Sequence, residues 1–206
     1  TDHADLSDSV ESQVCFADFC PNGADNAEDD NGHGTHVSGI ISSRGVLSPV
    51  GVARNTRIHT VKVLDSSNGF SSSSIIIEAL DHIINNLPQV NLVNMSLGTY
   101  DRFESFCDDQ YVYTRAFANV INTLRERGTL SFVASMNNAS SNSISAPACI
   151  ANAISVGAVW DTDPYSYNGE CFESNPTPDH MACFSKSSIA LDILAPGSPI
   201  RAARMN

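Results

Sequence analysis

Residues 31–39 read Asn-Gly-His-Gly-Thr-His-Val-Ser-Gly, and an apolar run continues from them to Ile41. The glycines on both sides of His33 remove side chains that would keep another chain away from the imidazole. The apolar run predicts a helix that begins at His33, and a histidine at an open helix start is suited to act as a general base. Short motifs also arise by chance. The alternative is therefore a helix N-terminus that merely contains two histidines, and the other segments of the chain must decide.

Strand-like and helix-like segments alternate along the chain. This alternation predicts an α/β fold with a mostly parallel sheet and helices on both faces. No internal repeat or linker divides the sequence, so we expect one domain. The predicted strands are Ile58–Leu64, Val90–Met95, Thr129–Ala134, Ala153–Val159 and Leu191–Ile193, and the predicted helices are Ser73–Asn86 and Tyr111–Arg127, the second ended by Gly128.

Several segments, in order along the chain, resemble those of subtilisin-like serine proteases. The block 33–39 resembles the histidine box of that family, and 132–138, Phe-Val-Ala-Ser-Met-Asn-Asn, resembles the stretch that carries its oxyanion asparagine. Ordered matches of this kind make chance similarity an unsatisfactory explanation. The further matching segments are 51–53, 58–64, 93–98, 154–159 and 194–197.

The resemblance implies a three-layer subtilisin-like fold and acyl-transfer chemistry. By resemblance, His33 is the general base and Asn137 donates its side-chain amide to the oxyanion. Ser96, Leu97 and Gly98 resemble one wall of the primary specificity pocket. The remaining residues that the resemblance assigns to substrate binding are Gly69, Phe70 and Ser71 at a peptide-pairing edge, and Ala134, Ser135 and Met136 at a second pocket wall. A core aromatic is nearly as good an explanation of Phe70.

Two members of the family's triad have no counterpart in this sequence. The segment 1–6 resembles the part that follows the aspartate box, and no Gly-Thr-Ser-Met motif occurs. We therefore expect residues 1–206 to be a partial peptidase domain without the aspartate-bearing strand and the serine-bearing helix. Asp2 or Asp5 in place of the missing aspartate is the less favoured alternative. The isolated chain is expected to be inactive. Two hypotheses remain for the whole protein: a serine endopeptidase of which this chain is a part, or a non-catalytic homologue that keeps a peptide groove.

Three departures from the family pattern bear on specificity and metal binding. Met136 stands where the family usually has glycine, so it either narrows the primary pocket or swings aside. Thr99 replaces a second glycine that often follows the 96–98 segment. The loop 42–49 lacks the asparagine-rich pattern of the strong calcium site of subtilisins, and Asp5 matches an aspartate that the family associates with a calcium site. No cofactor is expected for the chemistry, while Asp161 and Asp163 are candidates for a weaker structural calcium.

Six cysteines without a CxxC pair favour disulfides over metal ligation. Proximity in sequence favours the pairs Cys15–Cys20 and Cys171–Cys183, which leaves Cys107 with Cys149. Six buried free thiols are the alternative. Disulfides imply an extracellular or secretory compartment, so we expect a secreted protein.

The charge of the chain restricts its partners. The 11 basic and 23 acidic residues give a formal net charge of −12, which disfavours nucleic acid. No apolar run is long enough to span a membrane. We expect a monomer that binds polypeptide substrates and, by resemblance, a propeptide or protein inhibitor. The acidic cluster Asp25, Glu28, Asp29 and Asp30 is either a solvated loop or a device that raises the His33 pKa or attracts basic substrates.

Overall fold

The computed structural model describes residues 2–162 and 166–205. Its strands, β1 to β8, are Val10–Cys15, Ile58–Lys62, Leu92–Met95, Leu130–Ala134, Ile154–Trp160, Ser166–Asn168, Phe172–Ser174 and Ile193–Ser198. Its helices, α1 to α3, are His33–Ser42, Ser73–Asn86 and Val112–Glu126. None of the helices in the described ranges is long and apolar enough to cross a membrane.

The chain forms two compact units. The first comprises Thr1–Ala79 and Arg201–Asn206, and the second comprises Leu80–Ile200. In the first unit, β1 and β2 pair in parallel. Helix α1 packs closely against the C-terminal segment of the same unit, since a Cβ on Gly39 would lie 2.7 Å from the Cβ of Ala203.

The second unit contains a four-stranded parallel sheet in the order β3-β4-β5-β8. Helix α3 packs on β4 through a buried stripe whose three- and four-residue spacing follows the helical period. The buried members of this stripe are Thr114, Phe117, Ala118, Val120, Ile121 and Leu124. Gly128 follows α3 with a positive φ of 89°, as predicted for the residue that stops this helix.

An arginine connects the end of α2 to the end of α3. The guanidinium of Arg127 donates hydrogen bonds to the backbone carbonyls of Ile84, at 2.7 Å, and Ile83, at 3.2 Å. These carbonyls belong to the last turn of α2, where backbone acceptors have no partner within the helix. A cation at this end is also favoured by the helix dipole.

The predicted fold class is confirmed, with differences in individual elements. The bounds of α2 agree with the prediction, while β3 begins two residues later than expected. The last strand was placed wrongly at Leu191–Ile193, because Ile193–Ser198 contains Pro196 and Gly197 and so has the composition of a turn. Strand β1 and the antiparallel β6–β7 hairpin were not predicted.

All six cysteines form disulfides with the partners that sequence proximity favours. The pairs are Cys15–Cys20, Cys107–Cys149 and Cys171–Cys183. The alternative of six free thiols is wrong.

Cys107–Cys149 is expected to stabilise the protein more than Cys15–Cys20. Its cysteines are 42 residues apart, against 5 for the other pair, so it restricts the unfolded chain more. Replacing both members of a pair with alanine should lower the free energy of unfolding by about 4 kcal/mol for Cys107–Cys149 and about 2 kcal/mol for Cys15–Cys20. Urea unfolding of the two double variants measures this, and an equal or reversed order would contradict it.

Candidate active site

Helix α1 begins at His33 through a cap supplied by an aspartate that precedes it. Gly32 is the N-cap residue, with a φ of 104° that favours glycine, and it has no side chain to cap the helix. The Asp29 carboxylate takes over this role. It accepts hydrogen bonds from the backbone N–H groups of Asn31 at 3.0 Å, Gly32 at 2.9 Å and Thr35 at 2.7 Å. The first turn is thereby fixed, and His33 with it.

The imidazole of His33 is half-buried, and this sets its protonation. Burial lowers the pKa of His33 from its usual 6.5, the Asp29 charge raises it, and His36 lowers it again, with a net lowering. For Asp29 itself, burial raises the pKa, but the hydrogen bonds from Gly32 and Thr35 outweigh burial and lower the pKa to about 2. At neutral pH the imidazole is neutral, and a neutral imidazole can accept a proton.

The acidic cluster before α1 is therefore partly structural. Asp29 caps the helix, and Asp30 accepts a hydrogen bond from Nζ of Lys62 at 2.6 Å. A purely solvated loop does not describe these two residues. The Asp29 charge raises the pKa of His33, as the second hypothesis for this cluster expected, but burial lowers this pKa more, so the net shift is downward.

The predicted peptide-pairing edge lies in a loop of the first unit. Asp65 organises it by accepting a hydrogen bond from the Gly69 N–H at 3.0 Å and donating its own N–H to the Gly69 carbonyl at 2.9 Å. The Ser71 N–H donates to the Asp18 carboxylate at 2.8 Å. The backbone polar groups of Gly69 and the N–H of Ser71 thus have partners within the unit. Phe70 between them is half-buried and lies outside the buried core.

The second unit brings the other predicted residues together. Strands β3 and β4 are parallel neighbours with Met95 opposite Val133, so the segments that follow them leave the sheet at the same edge. These segments are Ser96–Gly98 after β3 and Ser135–Asn137 after β4, with Ala134 as the last residue of β4. The Asn137 side chain is exposed, as a donor to a bound carbonyl oxygen must be.

Within this group, the side chains differ in what they can touch. Ser135 is buried, at 2% exposure, and its N–H donates to the Val156 carbonyl of β5 at 2.9 Å. Its role is therefore to extend the hydrogen bonding of the sheet. The Ser96 hydroxyl accepts a hydrogen bond from the Asn94 side chain at 3.1 Å. Leu97 and Met136 are half-buried and line the edge.

Asp5 has an arrangement that does not suit a calcium ligand. Its carboxylate accepts hydrogen bonds from the backbone N–H groups of Val46, Leu47 and Ser48 and from the Ser48 hydroxyl, the last two at 2.9 Å. Calcium requires oxygen atoms directed toward it, whereas here N–H and O–H donors converge on a buried carboxylate. The residues at this position do not fit the ion. Nor does Asp5 orient His33, because its donors come from 46–48.

No group of three or more histidine, cysteine, aspartate or glutamate side chains in residues 2–162 and 166–205 has the arrangement of a metal site. The second calcium candidate paired Asp161 with Asp163. Asp163 lies outside the described residues, so this prediction stays a prediction.

Comparison with known proteins identifies the family. Residues 1–205 match the model of the subtilase family, Peptidase_S8. The chain belongs to the subtilase family. The resemblance inferred from the sequence is thereby confirmed.

Individual subtilases agree with this assignment. An alkaline proteinase of Hapsidospora chrysogena is 34% identical over 189 residues, which cover 88% of this chain and 38% of that protein. An extracellular serine proteinase of Thermus sp. (strain Rt41A) is 33% identical over 177 residues, 86% of this chain and 35% of that protein. The structure of sphericase superposes with a TM-score of 0.75 at 24% identity, covering 99% of this chain and 64% of that one, and supports the fold. The chain spans well under half the length of these two sequence relatives.

The capping role of Asp29 is the part of this subtilase site that sequence reasoning missed. The signal was present, because an aspartate three residues before Gly32 can reach the free N–H groups of a helix whose N-cap has no side chain. The capping residue was not identified because it lies among four acidic residues, each of which is also compatible with an exposed, solvated loop.

The His33 titration should reveal the balance between burial and the Asp29 charge. We expect a midpoint below 6.5 by NMR of the ring, and a further fall in Asp29→Asn, which keeps a capping oxygen but loses the charge. Between the folded pKa and 6.5 the native state binds fewer protons than the unfolded chain, so this group makes unfolding less favourable as pH rises. The matched variant Asp25→Asn should leave the midpoint unchanged. A rise in Asp29→Asn would contradict this account.

The Asp5 loop should be independent of calcium. Hydrogen bonds to the charged carboxylate are worth about 1.5–3 kcal/mol each, so Asp5→Asn should lower the free energy of unfolding by at least that amount. The exposed Asp8→Asn serves as the matched control. Thermal unfolding with and without EDTA tests the metal: a chelator-induced fall in Tm that occurs in the wild type and disappears in Asp5→Asn would put a cation on Asp5.

Proposed function

We propose that this chain is the middle part of a secreted serine endopeptidase, in which His33 is the general base and Asn137 the oxyanion donor. The observation that carries the proposal is the position of His33, which is flanked by glycines and fixed at the start of a capped helix, where burial lowers the pKa of the imidazole and so favours its neutral form. A general base requires this combination of access and protonation. The subtilase assignment supplies the reaction class.

The reaction would be acyl transfer, following the scheme of the family. A serine hydroxyl attacks the peptide carbonyl while the His33 imidazole takes its proton, and that proton is then delivered to the leaving amine. The side-chain amide of Asn137 donates to the oxygen that becomes negative in the tetrahedral intermediate. The serine and the aspartate that orients His33 would be supplied from outside the 206 residues, since the sequence contains no Gly-Thr-Ser-Met motif.

Polypeptides would be the substrates, and Ser96–Gly98 with Ala134–Met136 would receive the side chain that precedes the cleaved bond. The peptide-pairing role of Gly69, Phe70 and Ser71 is the weaker part of the proposal, because internal hydrogen bonds occupy the Gly69 backbone and the Ser71 N–H. A propeptide or protein inhibitor would use the same groove. No cofactor enters the chemistry, and the protein would act as a monomer.

Secretion is supported by two independent facts. Three disulfides form among the described residues, and such bonds persist in oxidising compartments. The Thermus relative is named an extracellular serine proteinase.

A non-catalytic homologue that binds peptides is the second candidate. Met136 favours it, because it stands immediately before Asn137 with a φ of 83° in place of the glycine usual in the family. Such a protein would keep the peptide groove, and neither the isolated chain nor the complete protein would hydrolyse peptides.

Catalysis should depend on both His33 and Asn137. In the protein expressed from the complete transcript that encodes this chain, we expect His33→Ala to lower kcat/KM on casein peptides by at least about 100-fold. Asn137→Ala should lower kcat by about 10²–10³-fold, a magnitude established on subtilisins and adopted here. KM should change little for Asn137→Ala, because the donor acts on the oxyanion. The isolated 206-residue chain should show no turnover.

The control is His180→Ala, since the His180 side chain is exposed in the second unit and has no role in the scheme. It should retain the wild-type kcat/KM. A complete protein without turnover would favour the non-catalytic homologue, and turnover by the isolated chain that His33→Ala abolishes would show a nucleophile within it.

A further inference from the structure

Met136 has a backbone conformation that its residue type does not favour. Its φ of 83° lies in the left-handed region, which costs an L residue roughly 1–2 kcal/mol. Three of the other non-glycine residues with positive φ in the described ranges are asparagine or aspartate, which tolerate this region, and the fourth is the small Ala139. Met136 is thus the one with a long apolar side chain.

Backbone hydrogen bonds hold Met136 in this conformation. Its carbonyl accepts a hydrogen bond from the Lys186 N–H at 3.0 Å, and the Ser140 carbonyl accepts one from the Ser187 N–H at 2.7 Å. The Ala139 N–H donates to the Phe184 carbonyl at 3.0 Å. The segment that contains Met136 and Asn137 is therefore fixed along 184–187 at several points, and the strained residue cannot relax alone.

The thioether of Met136 lies directly over Gly98. A Cβ on Gly98 would be 2.9 Å from Cγ and 3.0 Å from Sδ of Met136, so a side chain at position 98 would displace the thioether. This Cβ would also be 3.1 Å from the Ala146 carbonyl oxygen. The side chain thus bridges the ends of β3 and β4, and only glycine at position 98 permits this approach.

We propose that Met136 fills the primary side-chain subsite and limits the residue before the cleaved bond to glycine, alanine or serine. This inference rests on the proposed function, which places Ser96–Gly98 and Ala134–Met136 at that subsite. A large side chain would need the volume that the thioether occupies. Because the Met136 backbone is fixed, this volume becomes free only if the Met136 side chain rotates away from Gly98.

Peptide binding to the protein expressed from the complete transcript that encodes this chain tests the inference without requiring turnover. The probes are acetyl-Ala-Ala-Pro-Ala and acetyl-Ala-Ala-Pro-Phe with free carboxylates. Isothermal titration calorimetry measures their affinity for the wild type and for each variant, and the methyl signal of Met136 in wild-type protein labelled with ¹³C-methyl methionine reports where the peptide binds. The wild type should bind the alanine peptide at least about tenfold more tightly than the phenylalanine peptide. The bound alanine peptide should shift the Met136 methyl signal. Met136→Gly should bind the phenylalanine peptide about tenfold more tightly than the wild type does.

Met136→Leu is the matched control, since leucine keeps a similar volume, and it should retain the preference for alanine. Equal binding of both peptides by the wild type would overturn the inference and leave the peptide groove intact. Failure of both peptides to bind either the wild type or Met136→Gly would overturn the proposed groove itself, and the inference with it.

Discussion

The parallel pairing of β3 with β4 is the constraint on which the second unit depends. Parallel strands need long crossover connections, and α3 with its flanking loops supplies one between Leu92–Met95 and Leu130–Ala134. The register opposes Met95 to Val133, so both strands end at the same level. Because the two strands end side by side, the residues that follow them become neighbours although they are about forty positions apart in sequence. The functional assignments in this unit depend on this proximity.

Strong periodicity explains which elements the sequence could predict. Helix α2 agrees with its predicted bounds because Ile76, Ile77, Leu80, Ile83 and Ile84 repeat at helical spacing. Strand β1 was missed because Glu11, Ser12 and Gln13 interrupt its apolar residues. Strand β8 was misplaced because proline and glycine are tolerated on an edge strand, where half of the hydrogen-bonding groups face outward.

The candidate site was predicted from motifs and not from periodicity, and this set the limits of the prediction. His33 and Asn137 could be named because short blocks around them resemble those of a known family. What surrounds them required coordinates. The φ of Met136 does not follow from residue type, because it results from the path of the backbone. The spacing of Asp29 was compatible with a cap, but only the hydrogen bonds distinguish it from the other acidic residues of its cluster. The same holds for Asp5, whose family counterpart is associated with calcium but which here accepts hydrogen bonds.

The cluster of Trp160, Ala182 and Phe184 has a consequence for spectroscopy. Tyr167 and Cys171, from the β6–β7 region, pack against it, and the indole N–H donates to the Glu173 carboxylate at 3.0 Å. Trp160 is the only tryptophan in the sequence. Intrinsic tryptophan fluorescence therefore reports on this small cluster, where the last residue of β5 meets the β6–β7 hairpin. Coincidence of the fluorescence and far-ultraviolet circular dichroism transitions would show that the hairpin and the helices unfold in one cooperative step.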